Sequence, residues 1–156
     1  MRNKNENLNK KIHFESYLEQ ICSHRNYEQL KKYIQHGNTS VYDHSVKVAY
    51  YSLRTAESLG INGHKEELVR GALLHDYFFY DWHIKDKSHR MHGFKHPYSA
   101  LKNAQCDFEL TDREKNIILR HMFPLVPIPP TCVEGWIVCF VDKYCSLLET
   151  LFINDR

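Results

Sequence analysis

Apolar positions recur along most of this chain at three- and four-residue intervals, the spacing of a helix with one buried face. Phe14, Tyr17, Leu18, Ile21 and Cys22 predict an amphipathic helix over about residues 14–23. A shorter helix over about 27–34 should stop at His36-Gly37, where glycine can take the left-handed cap. Asn38, Thr39 and Ser40 offer N-cap chemistry for a long helix that runs to about 59 and is closed by Gly60. Its apolar stripe reads Val41, His44, Val48, Tyr51, Ala56 and Leu59, so His44 lies on the buried side.

The next helix begins at 62–65, with Glu66 and Glu67 in a first turn where the helix dipole favours them. Leu68, Ala72, His75 and Asp76 fall on adjoining parts of one face, and Gly71 lets another backbone come close. From 80 to 95 the period dissolves into a polar, histidine-rich loop, and a loop of that length in a compact domain is usually functional or mobile. Pro97 suits the first turn of a helix through about 106. Thr111 and Glu114 make a capping box for a helix through Ile117 and Ile118 to His121. Four prolines within 122–130 predict extended chain, after which Thr131 caps a final helix over about 132–152. No strand alternation recurs. The chain reads as all-α, a compact bundle of about six or seven helices over residues 13–156 behind a frayed tail, 1–12.

Composition narrows the partners. At 156 residues the chain can enclose a core as one domain without staples. Its 21 Lys and Arg nearly balance 19 Asp and Glu, with no block of like charge, so nothing implies a nucleic-acid partner. A small phosphorylated substrate stays open. The Asn/Lys-rich start has no apolar core of a secretory signal, and no run of about 18 apolar residues could span a membrane. Cys22, Cys106, Cys132, Cys139 and Cys145 are odd in number and never spaced Cys-x-x-Cys, which reads as reduced thiols of a cytoplasmic protein. In the last helix Trp136, Phe140, Tyr144, Leu147, Leu148 and Leu151 give surface for a homodimer, although core packing accounts for them more simply.

The chemistry concentrates in ionisable residues that point inward. His44 shares its face with Val41 and Val48, His75 and Asp76 end the run Leu73-Leu74, and His121 follows Ile117 and Ile118. Asp142 has Val138, Cys139, Cys145 and Ser146 one turn away on either side. Each histidine alone is explained by an ordinary hydrogen bond in the core. An apolar setting for a lone carboxylate is costly unless it meets a cation, and one metal site would satisfy all of these groups together.

The order His44, His75-Asp76, His96, His121, Asp142, spread over about residues 40–150, resembles the HD-domain phosphohydrolase superfamily, a helical family named for its His-Asp pair. The resemblance implies that His44, His75, Asp76 and Asp142 hold one metal ion, with Asp76 and His75 at the catalytic centre. It further implies a second ion on His96 and His121 that shares Asp76, with His92 as the substitute ligand. Mixed imidazole and carboxylate donors suit divalent Fe, Mn, Co, Ni or Zn rather than Mg or Ca. The expected activity is hydrolysis of a phosphomonoester or phosphodiester, of a nucleotide or dinucleotide, through a metal-bound hydroxide.

The chain also departs from the family. Many members carry a Lys four residues after the doublet's Asp, and Tyr80 stands there in this sequence. A compensating cation must come from Lys47, Arg90, Lys95, Arg120 or Lys143, and Tyr80, Lys47, His92, Arg120 and Lys95 are the candidate substrate contacts. The Gly-Tyr-Pro signature of the cyclic-dinucleotide branch is missing, since Met-Phe-Pro-Leu-Val-Pro follows His121. Tyr77, Phe78, Phe79, Tyr80 and Trp82 could stack a nucleobase, or simply fill the core. Two readings compete with hydrolysis: a non-catalytic metal- or nucleotide-binding regulator, and a two-iron oxygenase of the same superfamily.

Overall fold

In the computed structural model, which describes residues 13–84, 87 and 91–152, the first predicted helix is present over 13–22 (α1). The tail 1–12 lies outside the described residues, as does Arg90. The second helix is shorter than its pattern suggested. α2 (Arg25–Glu28) passes into a 3-10 turn at Gln29–Lys32, and the chain then extends as β1 (Ile34–His36). Gly37, at φ 60°, reverses the chain so that β2 (Thr39–Ser40) pairs antiparallel with β1. Strands of three and two residues are too short to leave an alternating pattern, yet this hairpin turns Gln35 into the interior.

Ser40 then opens α3 (Val41–Ser58), its Oγ accepting the Asp43 N–H at 3.0 Å, and Gly60 follows the helix at φ 71°. The buried stripe differs from the one expected. Tyr51 and Leu59 are exposed, while Ser45, Ala49, Ser52 and Leu53 join Val41, His44, Val48 and Ala56 inside. α4 (Lys65–Leu74) packs against α3. Gly71 serves a close approach as expected, but the neighbour is a side chain rather than a backbone. A Cβ at 71 would lie 2.7 Å from Ile117 Cδ1 and 3.0 Å from its Cβ.

α5 (His92–Asp107) starts earlier than Pro97 suggested, with Met91 at φ 64° before it and Pro97 inside the helix. Proline forfeits only one hydrogen bond here, close to the helix start. The early start puts His92 and His96 one turn apart on one helix. α6 (Asp112–Arg120) has the predicted capping box, with Thr111 Oγ1 accepting from Glu114 N and Glu114 Oε2 from Thr111 N. Residues 121–128 curl through turns and bends instead of extending, because the fixed φ of proline serves turns as well as extended chain. α7 (Val133–Leu151) is preceded by Cys132, not capped by Thr131, whose hydroxyl instead accepts from Asn116 Nδ2.

The described residues are thus mostly helical, seven helices with one small hairpin. α3 packs on α4 and α7, and α6 closes against α4, α5 and α7 around a core that includes Tyr27, Leu73, Phe78, Ile117 and Val138. Phe140, Tyr144, Leu147 and Leu151 do not join that core and face solvent along α7. None of the described helices is long and apolar enough to cross a membrane.

Candidate metal centre

Two helix ends aim two imidazoles at one point. His75 is the C-cap of α4 and His121 the C-cap of α6. Each donates Nδ1–H to the carbonyl three residues back, His75 to Ala72 O at 2.6 Å and His121 to Ile118 O at 2.7 Å. His96, in α5, donates likewise to His92 O at 3.1 Å, and His44, in α3, to Glu149 Oε2 at 2.8 Å. Carbonyl and carboxylate oxygens only accept, so Nδ1 carries the proton in all four rings. Every Nε2 of a neutral ring then presents a lone pair, the arrangement that metal-ligating histidines show.

These lone pairs converge on two carboxylates. Asp142 Oδ1 lies 3.0 Å from His44 Nε2 and 3.4 Å from His75 Nε2, while Asp76 Oδ2 lies 3.2 Å from His75 Nε2. The other oxygen of Asp76, Oδ1, faces His96 Nε2 at 3.0 Å and His121 Nε2 at 3.4 Å. Two buried groups result, each with its ligand atoms within 4.8 Å of one another: His44, His75, Asp76 and Asp142, and Asp76, His96 and His121. Asp76 belongs to both.

Electrostatics agree with a cation-seeking centre. Burial works to raise the Asp76 and Asp142 carboxyl pKa values, but the histidines around them hold both well below the carboxylate range. Burial works to lower His44 and His75. Hydrogen bonds to Asp142 and Glu149 push His44 up to about 9, and Asp76 and Asp142 push His75 well above its ordinary value. Without a metal, protons therefore supply the balancing charge. His121, by contrast, is lowered by burial and stays neutral. His75 Nε2 and Asp76 Oδ1 are buried and make no hydrogen bond among the described residues. Each of the two groups thus holds one orphaned atom, and each orphan fits a metal ion that would use its lone pair.

Two residues that sequence reasoning missed hold the candidate ligands in place. Gln35 Nε2 donates to Asp76 Oδ2 at 2.5 Å while its Oε1 accepts from Trp82 Nε1 at 3.3 Å. Glu149, which orients His44, also takes Lys47 Nζ on Oε1 at 2.8 Å. Glu149 was findable, since it stands seven residues beyond Asp142 and so on the same face of α7. Gln35, in a three-residue strand, left no such signal.

A cavity of about 650 Å³ reaches the centre, with Asp76, His96 and Asp142 among its lining. Gln35 and His36 of β1 form one side, and Met122, Pro124 and Leu125 of the curled segment another. Lys143 and Ser146 reach it from α7. Of the five aromatics after the doublet, Trp82 lines the cavity, whereas Tyr77 and Phe78 are fully buried core. His92 lines it too, bonded through Nδ1 to Tyr80 Oη at 2.8 Å and stacked between Trp82 and His96. Tyr80, Lys95 and Arg120 are not among the lining residues, and Lys47 is turned to Glu149.

The family model described as HD domain matches residues 41–147, more than half of the chain. No curated protein matches the chain, and no solved structure does.

Proposed function

The chain belongs to the HD-domain family, and from that premise we propose that it is a metal-dependent hydrolase of phosphate esters, acting on a nucleotide or dinucleotide. The observation that carries this reading is Asp76, whose two oxygens face two separate sets of imidazole nitrogens. Such a carboxylate suits a pair of ions. The ligand set, nitrogen and oxygen without thiolate, suits Fe, Mn, Co, Ni or Zn. When bound, the ions would lower the pKa of a water and neutralise charge on the phosphoryl oxygens.

The chain's own residues would then hold the reactants. Gln35 keeps the Asp76 carboxylate from rotating, and the four Nδ1–H bonds keep the imidazoles aimed. Trp82 and Leu125 offer a flat and an apolar surface for the organic part of the ester. In the reaction water oxygen joins phosphorus, the ester oxygen leaves and takes up a proton, and nothing is oxidised. The cavity, which reaches Asp76, His96 and Asp142, favours this over a closed metal site that serves structure alone.

The test is metal analysis of the purified protein, then a screen of nucleotides and dinucleotides with Mn or Fe added. Asp76→Ala should lose metal and turnover together while keeping its helical fold. Full activity in that variant, or no turnover by the loaded wild type on any phosphoester, contradicts the reading.

A further inference from the structure

Among the described residues that line the cavity, Lys143 is the only lysine or arginine. Its ammonium donates to His121 O at 2.9 Å, to Cys139 O at 3.2 Å and to Cys139 Sγ at 3.2 Å. All three acceptors are neutral. Three other cations near the core are spent on carboxylates, Lys47 on Glu149, Arg70 on Glu114 and Arg113 on Glu134, and Arg120 is not among the lining residues. Lys143 has no ion pair among the described residues, so its charge is left for an anion that enters the cavity. One turn along α7, Ser146 lines the same wall, and its hydroxyl makes only a long contact, 3.4 Å, to Asp142 Oδ1.

We propose that Lys143 and Ser146 form the subsite for a non-bridging oxygen of the substrate's phosphoryl group, and so supply the cation that Tyr80 does not. The proposal rests on the phosphohydrolase reading. Asp142 explains the placement: the residue that would hold a metal and the residue that would hold the phosphate are consecutive on one helix. An ammonium bound by three neutral acceptors can exchange one of them for a phosphate oxygen at little cost, because a hydrogen bond between charged partners is the stronger one. Asp76 and Asp142 repel an anion until metal neutralises them, so phosphate should enter only the metal-loaded protein.

Another role for Lys143 is to hold the end of α6 through His121 O, and the test separates the two. Inorganic phosphate is titrated calorimetrically into the Mn-loaded wild type, K143M, K143R and S146A, with metal content and melting temperature measured on each. Phosphate affinity should fall about 10- to 100-fold in K143M and about 2- to 10-fold in S146A. K143R should stay within about tenfold of wild type, since it restores the charge. Metal content and melting temperature should hold. Unchanged phosphate affinity in loaded K143M, with wild type turning over a phosphoester, overturns the subsite and leaves the hydrolase reading standing. No phosphate binding and no turnover by the wild type overturns both. Should K143M fail to fold, K143Q and K143R carry the comparison, and equal affinity in those two counts against the proposal.

Discussion

The Nε2 atoms of His96 and His121 face each other 2.9 Å apart, while both Nδ1 atoms are committed to backbone carbonyls. In neutral rings that contact sets lone pair against lone pair, which is unfavourable unless something positive lies between them and Asp76 Oδ1. His121→Ala should therefore reduce bound metal from about two ions per chain to about one, with His44, His75, Asp76 and Asp142 retaining the first. Metal analysis after gel filtration reads this directly. Two ions in the variant would remove His121 from the ligand set.

On the proposed reading, Glu149 would act on a metal through His44, not by contact. Glu149→Gln keeps an acceptor for His44 Nδ1 but loses the charge and the pairing with Lys47. Removing such a supporting carboxylate weakens metal affinity by about 10- to 100-fold. Chelator competition should show that loss in the His44 site, and an unchanged affinity would reduce Glu149 to a packing role.

Acid and alkali should act differently on the metal-free protein. His44 is pushed up from its ordinary 6.5 to about 9, so the stability it contributes is fully present below about 6.5 and is lost as pH rises through 9. Asp76 and Asp142, held low, contribute stability that is lost only as pH falls below the carboxylate range. Chelator-treated protein should thus melt at progressively lower temperature between pH 6.5 and about 9. Metal displaces the same protons, so loading at neutral pH should acidify a weakly buffered solution. A flat melting profile above pH 6.5 would show that His44 holds no such proton.

Gly71 meets Ile117, a β-branched side chain with little freedom to move aside. Gly71→Ala gains about 1 kcal/mol of helix propensity and overpacks the α4–α6 contact by about 1–3 kcal/mol. A net loss of up to about 2 kcal/mol in chemical denaturation is expected, and a stabilised variant would mean that Ile117 repacks freely.

Much of this centre could be read before the fold was known, for a physical reason. His44, His75, Asp76 and Asp142 are ionisable residues at positions whose helical spacing assigns them to the buried side, and burial makes such groups conspicuous. His121 follows Ile117 and Ile118 and was legible in the same way, whereas His96 needed the family resemblance, because it stands beside Pro97 where the period fails. Glu149 was passed over although it continues the inward face of α7. Gln35 and His36 reach the cavity from a hairpin whose few residues carry no period, and the α5 start was hidden by Met91, a non-glycine residue in left-handed backbone. Lys143 stood in the sequence as one cation among five. Only the packing of α7 against the 121–128 turn distinguishes it.

His75 and His121 end their helices with the same contact, an imidazole N–H on the carbonyl three residues back. One residue inserted or deleted near either helix end would rotate the ring by about 100° around the helix axis. The carbonyl would lose its partner, and the lone pair would point away from Asp76. Helix length and coordination chemistry are therefore inherited as one character in this chain: α4 and α6 can accept substitutions along their exposed sides, but they cannot change in length at those ends without erasing the centre.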